Sequence, residues 1–369
     1  MRSESEELQP PVGGRSPGTD RDKTAAGSGA TAAGSGATAA GSGATAAEAI
    51  SWAREAIDQI GTVFLGKREV AEKTVAAILA RGHVLLEDVP GTGKTVLARA
   101  LGASLGGVFR RLQCTPDLLP ADAIGVSIFD PDKRAFRFKR GPVFCNVLLV
   151  DEINRATPRT QSALLEAMAE SQVSVEGRSR ALPRPFLVIA TENPIDFEGT
   201  FPLPEAQRDR FLLTLAVGYP DAATEAAILE GNHGAQAPVE GLRPLAHPQD
   251  IARYQDACAE IFVAAPVRDY IVALSAATRA DARLRLGASP RGSLALYRAS
   301  QGLALCRGRD YVSPLDVQEM LAPVYRSRVI LSPEASLRGA TPDIVLAEIG
   351  ERVPAPSYGG SAPSGAHAD

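Results

Sequence analysis

Cysteine is scarce in this chain, with four among 369 residues: Cys114, Cys145, Cys258 and Cys306. They stand far apart and form no CxxC pair, which excludes a disulfide framework and a structural zinc site of ordinary spacing. A reducing, cytoplasmic setting is expected. No window approaches the ~18 uninterrupted apolar residues that read as a membrane span, so no membrane insertion is expected. Residues 1–23 are charged and rich in Pro and Gly, where a secretion signal needs an apolar stretch. An excess of one charge is also missing. Lys+Arg number 39 against 43 Asp+Glu, a net charge of -4, so no overall basic field exists to hold nucleic acid or an anionic membrane. The 45% hydrophobic content does suffice for buried cores, and the length accommodates two to three domains of roughly 100–200 residues each.

From Thr24 the motif TAAGSGA repeats at 24–30, 31–37 and 38–44. Gly-Ser-Gly in each unit opposes helix, and no large side chain is present to offset the entropy of ordering. Residues 1–47 therefore read as a flexible leader. From Pro354 the chain is again Pro/Gly/Ser-rich, and 354–369 reads as a tail. In between, HVLLE (83–87), CNVLLVDE (145–152) and RPFLVIATEN (184–193) are short and nearly continuously apolar, as suits parallel strands buried on both faces. They alternate with helical stretches at 94–105 and 157–170, the latter with Thr157 as N-cap and Pro158 in the first turn. This is a doubly wound α/β pattern. After Tyr219-Pro220 strand signals vanish, and helices are expected at 221–231, 249–262, 267–281, 290–306 and 314–329, two of them opened by Ser289-Pro290 and Ser313-Pro314. The expected division is an α/β core over 48–218 and a smaller all-α domain over 219–353.

The first strand runs into DVPGTGKT. Gly91 and Gly93 let the backbone wrap and aim N–H groups at phosphate oxygens, Lys94 opens a helix from which its ammonium reaches β- and γ-phosphates, and the Thr95 hydroxyl is placed to ligate Mg²⁺. Asp88 stands where the first glycine of GxxxxGK[ST] would be. The expected phosphate-binding set is Pro90, Gly91, Thr92, Gly93, Lys94, Thr95 and Val96. About 55 residues on, a buried strand ends in Asp151 and Glu152, at the carboxyl edge where α/β sheets bind ligands. Asp151 would hold the Mg²⁺ shell and Glu152 would polarise the attacking water. Asn193 ends the third strand, where its amide can reach the same water or the γ-phosphate. PEAQRDRF carries Arg208 and Arg210, either of which could be delivered to a transferring phosphoryl group from outside the pocket. Arg210 is preferred. Arg291, in the first turn of a helix, could also face phosphate.

Taken together, EDVPGTGKT, QCTPDLLPADAIG, GPVFCNVLLVDEINRATPRTQSALLEAM, PRPFLVIATENP, EGTFPLPEAQRDRF and GASPRGSL resemble, in order, the motifs of the MoxR group of AAA+ ATPases. The resemblance covers about residues 60–330. It implies an αβα P-loop NTPase core with a small helical lid, ATP and Mg²⁺ as cofactors, and hydrolysis of ATP to ADP and phosphate. Lys94 and Thr95 then correspond to Walker A, Asp151 and Glu152 to Walker B, Asn193 to sensor 1, Arg210 to the arginine finger and Arg291 to sensor 2. Arg208 departs from the more usual apolar residue, which leaves open which arginine is the finger. The resemblance further implies an insert at about 115–140, a hairpin at about 171–184, assembly into a homo-oligomeric ring, typically a hexamer, and a protein client. The client expected is a separate protein bearing a von Willebrand factor A domain. The competing reading is a nucleic-acid motor or a chelatase-type subunit. It rests on DKRAFRFKRG, where Lys133, Arg134, Arg137, Lys139 and Arg140 are interleaved with Phe136 and Phe138. The period-2 alternation reads more simply as a hairpin arm with Ala135, Phe136 and Phe138 packed inward and the charges solvated, and nucleic acid is not the expected partner.

Overall fold

A computed structural model describes residues 36–87, 91–193, 200–231 and 238–356. The chain enters through α1 (Gly36–Gly61), α2 (Arg68–Leu79), β1 (Val84–Glu87), α3 (Lys94–Ser104) and β2 (Phe109–Gln113). A short α4 (Pro120–Ile124) leads into the hairpin β3 (Gly125–Asp130) and β4 (Ala135–Arg140). Then come β5 (Val147–Asp151), α5 (Pro158–Glu170), the hairpin β6 (Gln172–Val175) and β7 (Arg178–Ala181), β8 (Leu187–Glu192), α6 (Glu205–Arg208) and β9 (Leu213–Leu215). The remainder is α7 (Ala222–Gly231), α8 (Pro248–Ala259), α9 (Ala265–Ala280), β10 (Leu284–Leu286), α10 (Pro290–Cys306), α11 (Pro314–Tyr325), β11 (Ile330–Leu331), α12 (Pro333–Leu337) and α13 (Pro342–Arg352).

Five strands make one sheet in the order β2-β5-β8-β1-β9, with every pairing parallel. Because side chains alternate faces along a strand, each central strand feeds two cores. Val84, Leu86, Val147, Leu149, Leu187 and Ile189 join the cluster that includes α1, α2 and α3. Leu85, Leu148, Val150, Val188 and Ala190 join the cluster built on α5. The first cluster continues without a break into α8, α9, α10 and α11, so the helices that follow the sheet share its core. His83, at the entry to β1, bridges this packing: its Nε2 donates to the Met168 carbonyl (3.1 Å) and its Nδ1 accepts from the Val188 N–H (3.0 Å). Burial pushes its pKa down to about 4 against the pull of the Met168 carbonyl, so the ring is neutral at pH 7.

The structure departs from the sequence reading in several places. Helix α1 begins at Gly36, inside the stretch whose composition argues for a leader to residue 47. Its second half is anchored by buried Ala49, Trp52, Ala53, Ala56, Ile57 and Ile60; once that half exists, adding alanine-rich turns avoids the nucleation penalty that an isolated Gly-Ser repeat cannot meet. Residues 1–35 and 357–369 lie outside the described residues, as does Pro90. Thr157 has the extended backbone of an N-cap but makes no cap hydrogen bond; its hydroxyl meets Thr160 instead (3.2 Å). Ser289 and Ser313 do cap α10 and α11 through the N–H groups of Gly292 and Asp316, and the same Ser/Thr-Pro device opens α12 and α13 at Ser332 and Thr341. Helix α11 stops at Tyr325 rather than 329, and β10 pairs with β11 in the otherwise helical second half. Of Ala135, Phe136 and Phe138, only Phe138 packs, edge-on to Phe144 and under the Arg180 guanidinium. Ala135 is exposed and Phe136 is 75% exposed: the outer phenylalanines, Phe129 and Phe136, pair edge to face across the hairpin and both stay exposed.

Candidate nucleotide-binding site

The carboxyl ends of β1, β2, β5 and β8 lie side by side, and Gly91 and Gly93, just before α3, line the same cleft as the ends of β2, β5 and β8. Gly91 and Gly93 both adopt φ +86, left-handed backbone that a Cβ disfavours. Gly93 is the N-cap of α3 and has no side chain to cap it, so the positive dipole end of the helix lies at this point. A cleft of about 360 Å³ results, lined by Gly91, Gly93, Lys94, Thr95 and Val96 from the loop and helix, Asp151 and Glu152 from β5, and Thr191 and Asn193 from β8. Thr92 is buried within the loop.

The two carboxylates are held differently. Asp151 accepts from Arg111 Nε (2.6 Å) and from the Thr191 hydroxyl (3.3 Å). Glu152 sits in left-handed backbone, φ +55 and ψ +53, a strained state for a residue with a side chain. Its N–H donates to Thr191 Oγ1 (2.8 Å), and its Oε2 accepts from Gln113 Nε2 (3.1 Å) and Arg155 Nη1 (3.2 Å). One threonine thus ties the backbone of Glu152 to the side chain of Asp151. Cys114, beside them, is inert: burial first, and then the nearby carboxylates, push its thiol up to about 12.

Comparison with known proteins agrees with this geometry. The family described as "ATPase family associated with various cellular activities (AAA)" matches residues 83–213, and the AAA lid domain matches 276–349. The chain is 42% identical over 309 residues to chaperone MoxR1 of Mycobacterium tuberculosis, spanning 81% of each protein. This chain belongs to the MoxR family of AAA+ ATPases. It is also 45% identical over 303 residues to the uncharacterized protein YeaC of Bacillus subtilis, covering 81% of this chain and 93% of that one. A crystal structure of an ATPase candidate from Cytophaga hutchinsonii superposes with TM-score 0.81 at 33% identity, over 87% of this chain and all of the other.

Not every residue singled out in this MoxR-family sequence converges on the cleft. Arg210 is exposed, beyond α6, and Arg291 is exposed in the first turn of α10; neither lines the cleft. Arg208 turns the other way, with Nη1 3.2 Å from Glu87 and Nη2 2.9 Å from Glu192. Arg111, Gln113 and Thr191 line the cleft without having been anticipated. The available signal was positional: in parallel register Gln113 stands opposite Asp151, so whatever ends β2 must share the edge occupied by the β5 carboxylates. Among the described residues no helix is long and apolar enough to cross a membrane, and all four cysteines are free and buried.

Proposed function

We propose that this protein hydrolyses ATP to ADP and phosphate with Mg²⁺ in the cleft at the sheet's carboxyl edge, and spends the cycle remodelling a protein client as part of a cytoplasmic homo-oligomeric ring. The observation that carries this reading is the convergence of the Gly91–Val96 segment with Asp151, Glu152 and Asn193 in one cleft. In it, backbone N–H groups at the start of α3 and the Lys94 ammonium bind the phosphates. Glu152, held from three sides, orients and polarises the attacking water, and Asn193 is placed to hydrogen-bond the γ-phosphate or that water. Thr95 and Asp151 would hold the metal. One hydroxyl and one carboxylate are hard oxygen donors that fit Mg²⁺, an ion that retains waters and phosphate oxygens rather than taking an all-protein cage, and no cage of three or more His, Cys, Asp or Glu occurs among the described residues. When bound, Mg²⁺ supplies neutralisation of the charge that develops on the phosphoryl oxygens.

Arg210, exposed and away from its own cleft, is suited to complete the cleft of a neighbouring subunit, and a hexamer is the ring we infer. Arg291 acts from the helical lid. The chaperone named among the relatives favours a protein client over nucleic acid, and a separate von Willebrand factor A domain protein is the partner proposed. The test is phosphate release by the purified protein, with and without a chelator. Metal-dependent turnover is expected, together with capture of the client by Glu152→Gln protein loaded with ATP. No release from any nucleotide would refute the reading.

A further inference from the structure

Two arginines two positions apart in the RDR segment have opposite surroundings, and the difference assigns a role to the one that motif reasoning sets aside. Glu87 and Glu192 are register partners at the carboxyl ends of β1 and β8. Glu192 is only 6% exposed, and burial, reinforced by neighbouring Glu87, raises its pKa against the opposing pull of Arg208. The Arg208 guanidinium closes on both carboxylates, at 3.2 Å and 2.9 Å, and the Leu203 N–H also hydrogen-bonds to Glu192. The segment from Leu203 through α6 is therefore fastened to the sheet edge at both of its ends. A second clamp straddles Arg210. Arg328, 9% exposed just after α11, pairs through Nε with Asp209 Oδ1 (2.7 Å) and donates from Nη2 to the carbonyls of Asp209 (3.2 Å) and Phe211 (2.6 Å), and from Nη1 to that of Leu212 (3.2 Å). Of residues 208–212 Arg210 alone turns to solvent, with no hydrogen bond or ion pair from its side chain among the described residues.

We propose that Arg208 is a positioning residue: by bridging Glu87 and Glu192 it fixes α6 against the two strand ends flanking the phosphate loop and Asn193, and so sets the direction in which Arg210 is presented to the next subunit. The inference rests on the ring reading above. Arg208 is not among the residues lining its own cleft, so its loss should act on turnover and not on nucleotide affinity. A displacement of about 1 Å at a group that meets a transition state can lower the rate roughly 10²-fold, and that is the size of effect expected from Arg208→Ala on kcat, with KM unchanged.

Mixed rings separate this role from a merely structural one. Lys94→Ala subunits lack a phosphate site but still present Arg210; Arg210→Ala subunits keep a complete cleft. Mixing the two should restore hydrolysis at the interfaces where an intact cleft meets an intact finger, and absence of rescue, with mixed assembly shown by light scattering, overturns the ring reading and the inference with it. Given rescue, Arg208→Ala is then added to one partner at a time. Placed in the Lys94→Ala subunit, which donates the finger, it should abolish most of the rescue, roughly 10²-fold; placed in the Arg210→Ala subunit, which owns the cleft, it should leave rescue intact. Loss on the cleft side, loss on both sides, or loss on neither contradicts the proposal while leaving the ring reading standing. Arg208→Lys, which keeps a cation between the two carboxylates, guards against misfolding and should recover part of the donor activity. A lysine donor as inactive as the alanine donor counts against a positioning charge.

Discussion

Charged groups in the cleft and in the helical second half are arranged to opposite ends. In the helices they are closed off against each other. Arg309 meets Asp316, whose side chain is fully buried, through two bonds of 2.5 and 2.6 Å, and Asp316 completes the capping box of α11 with Ser313. Arg307 lies between Glu319 and Glu72, joining α11 to α2. In the cleft the partners stay open. Asp151 is held by an Arg111 side chain that is 52% exposed, Glu152 by half-exposed Arg155 and by an amide, and all but Arg155 face the same cavity. Closed pairs fix helices to one another. Open ones leave room to exchange a partner for an arriving anion or cation, so the same residue types are closed into pairs in one region and left accessible in the other.

The comparison breaks most visibly at the closed pair. Arg309→Met strips buried Asp316 of its two short bonds from Arg309 and leaves it, as cation, only the longer contact with Arg307, 3.5 Å away, and breaking a buried pair destabilises by about 3–5 kcal/mol; urea unfolding should show a loss approaching this size. If the pair were as open as those in the cleft, the change would be under about 1 kcal/mol. Next in size is the acid response of His83. Its folded-state pKa of about 4 lies below the ordinary 6.5, so the stability it contributes is complete above pH 6.5 and is lost as pH falls through 4. Between pH 7.5 and pH 4 the loss attributable to this residue is about 3 kcal/mol, and the acid sensitivity of His83→Gln, measured by denaturation at each pH, should be smaller by that amount.

A smaller, local effect is expected at Thr191. Thr191→Val removes the acceptor of the Glu152 N–H and the donor to Asp151, a cost of about 1–3 kcal/mol. Because the strained backbone of Glu152 loses its tether, turnover should fall even at temperatures where the variant is fully folded; an unchanged rate there would separate Thr191 from the chemistry. The least effect belongs to the hairpin tip. Phe136→Ser should change stability by no more than about 0.5 kcal/mol, whereas Phe138→Ser, which strips the ring from between Phe144 and Arg180, should change it measurably more. Equal effects would mean that the tip is packed after all.

What could be read in advance follows from how strongly one property is imposed on a segment. Strands β1, β5 and β8 are buried on both faces, so their sequences are apolar without interruption, and both cleft carboxylates and Asn193 follow from where those runs stop. The edge strand β2 is FRRLQ, mostly exposed, and reads as ordinary polar chain; β9 has three residues and no pattern to display. Gln113 and Arg111 were hidden with the strand that carries them. Phe136 misled because alternation reports which face a residue is on, not whether anything covers that face. The preference for Arg210 comes from the motif alone, and what Arg208 meets cannot be read in advance, because its partners Glu87 and Glu192 lie far away in sequence.

The central claim is that the open cleft binds and hydrolyses ATP with separate residues for each task. The direct measurement pairs fluorescent-nucleotide binding with phosphate release in two variants. Lys94→Ala should lose binding, because the phosphate charge goes uncompensated. Glu152→Gln should bind as the unaltered protein does and lose about 10²–10⁴-fold in turnover. Equal loss of binding in both variants, or undiminished phosphate release from Glu152→Gln, would contradict the account.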